Sequence, residues 1–363
     1  MAASLISAYA QWKVNEERHL SDRAADLESI AAECLKKIDL GLMLGDTSYR
    51  ALLLSAADFF EEQLAPALPP AAATSASDGS GHVGPAPTAR PLRPLSGRLP
   101  APPSLRLPSL AFFYNECMVP ARPAVLTGVL DGWPARTCRP WSDFEYLKRT
   151  AGHRTVPVEL GSHYLDGEFD EKLMTLREYI EGYLEDPAAP TAPDGRPRAY
   201  LAQHQLFEQL PKLRRDLVQP DYCVLSLEDE EADGEATGVG DPSRADDDDV
   251  RVNAWLGPAG TLSPLHHDRY HNLLCQVVGS KYIRLYAPEH GAALYPHPDG
   301  PHKVSSRIVD PDEADPAEFP LLAGAPYVDI VLSAGECLYI PPHFWHMVES
   351  REVSFSVSFW WAR

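Results

Sequence analysis

The 363-residue sequence predicts a mainly β fold: a double-stranded β-helix, or jelly roll, with decorating helices and a small helical N-terminal region. Three observations predict it. From about residue 109 onward, short runs rich in β-branched and aromatic residues recur, among them PAVLTGVL, RTVPVEL, RAYLAQH, VRVNAWLG, LLCQVVG, KYIRLYA, VDIVLS, CLYIP and VSFSVSFWW. Pro and Gly turns separate them, as in a sandwich or closed jelly roll, whose mouth is a usual place for a ligand site. The first 65 residues instead carry apolar residues at helical spacing.

In the N-terminal region, Ser21 can cap a helix that places Ala24, Leu27, Ala31, Cys34 and Ile38 on one face, and Gly41 can end it. A second helix is expected from Thr47 to Leu64, with Leu52, Leu53, Ala56, Phe59, Phe60 and Leu64 on its apolar side. Residues 66–108 hold 11 of the 35 prolines among Ala, Ser and Gly, which reads as a flexible, partly extended linker. The β domain is expected over 109–363, with helices at Ser142–Thr150 and Thr175–Asp186. LLCQVVG and SKYIRLY read as a hairpin. Within that domain, 228–249 carries 11 acidic residues and one arginine, Arg244, giving half of the net charge of −20. This run is a solvated, disordered loop, or more sharply an acidic guide for basic protein substrates.

The overall charge argues against nucleic-acid binding through the protein's field. Six cysteines without a CxxC pair suit buried thiols in a reducing compartment. No secretory signal and no membrane-length apolar stretch is evident, so a nuclear or cytoplasmic protein is expected.

The chemistry concentrates in His266-His267-Asp268 and in His346, 78 residues after that aspartate. Residues i and i+2 of a strand share a face, so His266 and Asp268 can converge on one ion while His267 points away. A histidine from a distant strand, His346, completes a set of two imidazoles and one carboxylate. Such a triad occupies one face of an iron ion and leaves the opposite positions open, although zinc tolerates the same ligands. A bulge at His267 would let it compete for the ion. His271 and His343 have the wrong spacing, and His290, His297 and His302 lie in a Pro- and Gly-rich loop. Lys281 alternates with Ile283 and Leu285, and a lysine on such a buried face needs an anionic partner.

The order and surroundings of VPVELGSHY, YLAQHQLF, NAWLGP, SPLHHD, GSKYIRLY, ALYPH and SFSVSFWW resemble the JmjC family of Fe(II)- and 2-oxoglutarate-dependent dioxygenases. The resemblance covers about the C-terminal two thirds. It implies Fe(II) on His266, Asp268 and His346, with 2-oxoglutarate and O2 as co-substrates. It gives Lys281 the distal carboxylate of 2-oxoglutarate, and Asn272, Ser263, Tyr164 and Trp360 further contacts to the co-substrate or its pocket. Trp255 becomes a wall on the substrate side; for both tryptophans a plain core role competes. Where this chain has His267, relatives often carry Gln.

The implied activity is protein hydroxylation, at C3 of arginine side chains in basic or chromatin-associated proteins such as histone tails or ribosomal proteins. Alternatives are demethylation of histone lysine, cleavage of histone tails at methylated arginine, and a non-catalytic metal-binding scaffold. Lys281 counts against the scaffold, which needs no co-substrate anchor.

Overall fold

The computed structural model describes residues 23–45, 47–64, 99–161, 165, 170–185, 199–227, 250–300 and 302–362. The expectations for Ser21, Tyr164, the linker up to residue 98 and the acidic run 228–249 lie outside them.

Two helices open the chain: α1 (Arg23–Leu44) and, after a 3-10 turn at Thr47–Tyr49, α2 (Arg50–Leu64). Gly41 does not end α1. Ile38 and Leu42 continue the buried stripe one turn further, so packing carries the helix past the glycine. Both helices bury a shared core that includes Leu35, Ile38, Leu53 and Phe60.

The β domain follows in chain order: β1 (Ser104–Arg106), β2 (Ala124–Thr127), α3 (Phe144–Ala151), β3 (Thr155–Leu160), β4 (Asp170–Thr175), α4 (Leu176–Tyr179), β5 (Ala199–His204), β6 (Arg251–Gly257), β7 (Leu262–His267), β8 (His271–Val278), β9 (Ser280–Tyr286), β10 (Val328–Ser333), β11 (Glu336–Ile340), β12 (Trp345–Ser350) and β13 (Ser354–Trp361). A nine-stranded sheet runs β1-β2-β11-β8-β13-β6-β5-β3-β4, and a four-stranded sheet runs β10-β9-β12-β7. Apolar side chains from both sheets fill the space between them, including Leu274, Leu338 and Ile340 from one and Ile283, Leu285, Ile330 and Val348 from the other. The fold is a jelly roll with decorating helices. The expected helices sit within two residues of their anticipated starts. Asp143 caps α3, and Thr175 with Glu178 forms a capping box on α4, which continues as a π-turn at Ile180–Leu184.

Three expectations need correction. Ser104–Arg106, within the proline-rich stretch, is a strand: it pairs in parallel with β2 from Ser104↔Val125 to Arg106↔Thr127. Residues 170–175, unassigned from the sequence, form β4 against β3. LLCQVVG and SKYIRLY are not a hairpin, because β8 and β9 belong to different sheets. Gly279 turns the corner at φ +71, where a Cβ would sit 2.2 Å from the Val353 carbonyl oxygen. Lys281 therefore stands beside β12, opposite Ser350, and not beside β7.

A buried ion pair fixes the helices to the β domain. Arg154, 3 % exposed, donates to Asp39 Oδ1 from Nε (2.9 Å) and Nη2 (2.6 Å), and to Glu61 from Nη1 (2.9 Å). Asp39 Oδ2 accepts from the Thr155 amide at 2.7 Å. Asp39→Ala strips the buried guanidinium of its two-point partner, leaving it Glu61, and strands the Thr155 amide, so we expect a stability loss of about 3 kcal/mol, read from the denaturant midpoint. A loss below about 1 kcal/mol would mean that water replaces the carboxylate.

Candidate active site

Strand pairing builds the centre. β12 lies antiparallel to β7, with His346 directly opposite His266, and the two rings are 4.2 Å apart between centroids. Asp268 follows the end of β7 and holds the same side as His266. Its backbone carbonyl accepts from the His343 amide at 2.6 Å, while His343 takes a left-handed φ of +64 to turn the chain into β12.

Each imidazole is set by its own backbone. His266 Nδ1 lies 2.7 Å from the Pro264 carbonyl and His346 Nδ1 lies 2.9 Å from that of Phe344. A carbonyl only accepts, so both Nδ1 atoms carry the proton and both Nε2 atoms present lone pairs. Those Nε2 atoms stand 4.0 and 3.6 Å from Asp268 Oδ2. One ligand atom from each of the three residues lies within 4.8 Å of the others, a spacing that can hold a metal ion. Asp268 Oδ2 is buried with no hydrogen-bond partner, as an atom meant for a cation would be. Burial pushes the His346 imidazole down to about 4, with His266 adding in the same direction, so it is neutral at physiological pH. Two neutral imidazoles, a carboxylate and a divalent cation sum to +1, which favours an anionic chelator.

His267 faces away, as expected of a regular strand. Its ring packs edge-on to Trp345 at 4.5 Å and lies 5.7 Å from His343. The pairing shifts where the two β12 steps from His346 to Val348 face three β7 steps from His266 to Ser263, so the extra residue lies on β7 at Pro264–Leu265, ahead of His267, which still pairs with Trp345. His271 is also accounted for elsewhere: its Nδ1 meets the Tyr339 hydroxyl at 2.8 Å.

Ser263, Asn272, Lys281, Trp255 and Trp360 line the same cavity as the three clustered residues. Lys281 is 1 % exposed. Among the described residues it forms no ion pair; its ammonium donates to the Tyr200 hydroxyl at 3.0 Å. Burial alone pushes it down to about 7, with no carboxylate charge to oppose the shift. Asn272 Oδ1 and Trp360 Nε1 are likewise buried without partners. The buried Lys281 ammonium in this narrow space fits a compact anion. Trp255 is fixed by donating from Nε1 to Ser358 Oγ at 2.8 Å.

Tyr200 was missed. It stands on β5, 8 % exposed, where its hydroxyl receives Lys281 and also hydrogen-bonds Ser263. A tyrosine in RAYLAQH carries no signal of its own, since its place depends on pairing Leu201 with Leu256 across the loop. Gly257 gave an indirect signal: a Cβ there would sit 2.7 Å from Tyr200 Cδ2, so NAWLGP keeps a glycine to let the ring lie flat against the strand.

Residues 109–363 match the Cupin-like domain family. The chain is 44% identical over 260 residues to Lysine-specific demethylase 8 of Danio rerio, covering 72% of this chain and 58% of that protein. It is 40% identical over 278 residues to Jumonji C domain-containing protein 5 of Drosophila melanogaster, covering 76% and 63%. It is also 26% identical over 283 residues to Bifunctional peptidase and (3S)-lysyl hydroxylase JMJD7 of Homo sapiens, covering 70% and 81%. The chain thus spans less than two thirds of the first two relatives. No helix among the described residues is long and apolar enough to cross a membrane.

Proposed function

The chain belongs to the JmjC/cupin-like family, and on that premise we propose that it is a protein hydroxylase that oxidises arginine side chains at C3 in basic or chromatin-associated proteins. Its domain is of the 2-oxoglutarate-dependent dioxygenase class, which uses Fe(II), 2-oxoglutarate and O2. In this reading His266, Asp268 and His346 hold the iron. The bound metal would supply activation of O2, and the balance is one C–H bond, 2-oxoglutarate and O2 giving one C–OH bond, succinate and CO2.

The observation that carries the reading is Lys281: a fully buried ammonium with no carboxylate partner among the described residues, in the cavity that also holds the His-Asp-His cluster. A metal-binding scaffold gains nothing from that cost. Lys281 takes the distal carboxylate, and Tyr200 and Ser263 orient that end of the co-substrate. Tyr164 is kept as a further contact from the motif alone. Asn272 and Trp360 line the cavity, and Trp255 bounds it toward the substrate.

Demethylation of histone lysine is the second reading, supported by the demethylase names of relatives. Those names also support a nuclear site of action. The 11 acidic residues of 228–249 suit steering of basic targets.

Mass spectrometry of arginine- and methyl-lysine-containing basic peptides, after incubation with Fe(II), 2-oxoglutarate and O2, tests the proposal. One added oxygen retained on arginine supports hydroxylation. Loss of a methyl group with formaldehyde supports demethylation. Absence of succinate with every peptide would contradict both.

Lys281 also sets a pH dependence. Its ammonium sits near 7 in the empty cavity and must be charged to hold a dicarboxylate. Above pH 7 co-substrate binding therefore takes up a proton, and affinity should fall by up to about tenfold per pH unit. The empty chain responds oppositely. Its folded lysine is depressed below the unfolded value of 10.5, so the burial penalty is full below about 7 and is released between 7 and 10.5. Calorimetry in buffers of different ionisation enthalpy measures the uptake directly; zero uptake at pH 8 would contradict the assignment.

A further inference from the structure

A cleft of about 520 Å³ opens beside the active site, between the β domain and the N-terminal helices. Its lining includes Arg251, Asn253 and Trp360 from the β domain, Met43 and Leu44 at the C-terminal end of α1, and Arg50 at the start of α2. Trp360 lines both this cleft and the metal-bearing cavity, so the two spaces share a wall. Along β6, Trp255, Asn253 and Arg251 share a face at two-residue intervals. That row leads from the cavity into the cleft over four residues, about 13 Å.

The cleft contains hydrogen-bond donors that the fold leaves unused. Asn253 is 3 % exposed and its Nδ2 has no partner; Trp360, 6 % exposed, has an unpartnered Nε1. Two buried N–H donors call for acceptor atoms from outside. The sheet is irregular at this point. β5 pairs with β6 at Leu201↔Leu256 and next at His204↔Ala254, with Gln203 between them in a left-handed conformation at φ +48. Gln203 and His204 line the cleft. The opposite wall is held in place by the Asp39–Arg154 pair, since Asp39 precedes the cleft-lining end of the same helix.

We infer that this cleft binds the main chain of the polypeptide substrate next to the oxidised side chain, and that the N-terminal helices are part of the substrate site. The inference rests on the protein-hydroxylase reading. Carbonyl oxygens recurring along an extended peptide are the acceptors that Asn253 and Trp360 lack. At about 3.3 Å per residue, the 13 Å row spans roughly four residues on one side of the target. Met43 and Leu44 then contact side chains of that flank.

The test compares two probes on the full chain: N-acetyl-arginine N-methylamide, which reaches only the cavity, and a peptide extending about four residues to either side of a central arginine. Wild type should show a KM for the peptide at least about tenfold below that for the small probe. Leu44→Glu, at a position 79 % exposed, should raise the peptide KM about tenfold with kcat and the small-probe KM as in wild type. Asn253→Asp replaces the donor by an acceptor and should raise the ratio of the two KM values similarly. If that variant fails to fold, Leu44→Glu decides alone. Equal KM values for the two probes in wild type, or an unchanged peptide KM in Leu44→Glu, would overturn the cleft while leaving the hydroxylase reading intact. A wild type that oxidises neither probe would overturn the arginine reading and this inference with it.

Discussion

His346→Ala reduces 2-oxoglutarate turnover to background while the jelly roll stays folded. The geometry makes both halves of this result specific. His346 presents a proton-free Nε2 toward Asp268, 3.6 Å away, and its Nδ1 is committed to the Phe344 carbonyl. Removing the ring leaves one imidazole and one carboxylate, too few to retain a divalent ion against water. The strand itself survives. His346 pairs with His266 on one side and Leu285 on the other through backbone groups that alanine keeps. The lost side-chain packing should cost about 2 kcal/mol, within reach of a folded domain. His267→Ala is the matched control. Its ring lies on Trp345 on the opposite face, so activity should fall by less than about tenfold, as for an indirect neighbour of a metal site. Metal content, circular dichroism and succinate formation, measured on both variants, check the result. Equal loss in the two would mean that His267 is a ligand.

Lys281→Ala raises the 2-oxoglutarate requirement by roughly a hundredfold or more. The ammonium is 1 % exposed and, among the described residues, donates to the Tyr200 hydroxyl at 3.0 Å. A bound carboxylate would pair with it away from water, and losing one partner of such a pair costs on the order of 3–5 kcal/mol. Metal affinity should barely change, because Lys281 stands opposite Ser350, four residues along β12 from His346. The empty variant should be at least as stable as wild type at pH 6, since a buried charge has been removed. Lys281→Arg restores little, because its planar head does not fit a site shaped for a point charge. Titration of metal-loaded protein with 2-oxoglutarate, followed by calorimetry, reads the change. Unaltered affinity in Lys281→Ala would remove the main reason to separate this chain from a metal-binding scaffold.

Much of this was legible in the sequence because strand chemistry is local. Alternation alone put His266 and Asp268 on one face and His267 on the other, and put Lys281 on the face of Ile283 and Leu285. What escaped depended on distant pairing. Tyr200 joins the site only because β5 pairs with β6, and the sequence between them gives no distance. The β8–β9 junction looked like a hairpin because two strands flank one glycine. Its use as a corner between sheets follows from the Val353 carbonyl packed against Gly279. Ser104–Arg106 was hidden by the prolines around it, which do not prevent a three-residue edge strand. Gly41 was read as a stop, yet Leu42 beyond it is 5 % exposed and holds the helix on. The His-Asp-His cluster was therefore visible as spacing, whereas the residues around it were visible only as neighbours.

The most direct test of the central claim is turnover under isotopically labelled O2 with an arginine-containing basic peptide, Fe(II) and 2-oxoglutarate. Mass spectrometry should find one labelled oxygen atom in succinate and one on the peptide's arginine, in equal amounts, with neither formed by His346→Ala. Peptide modified without labelled succinate, or succinate formed equally by His346→Ala, would contradict the account.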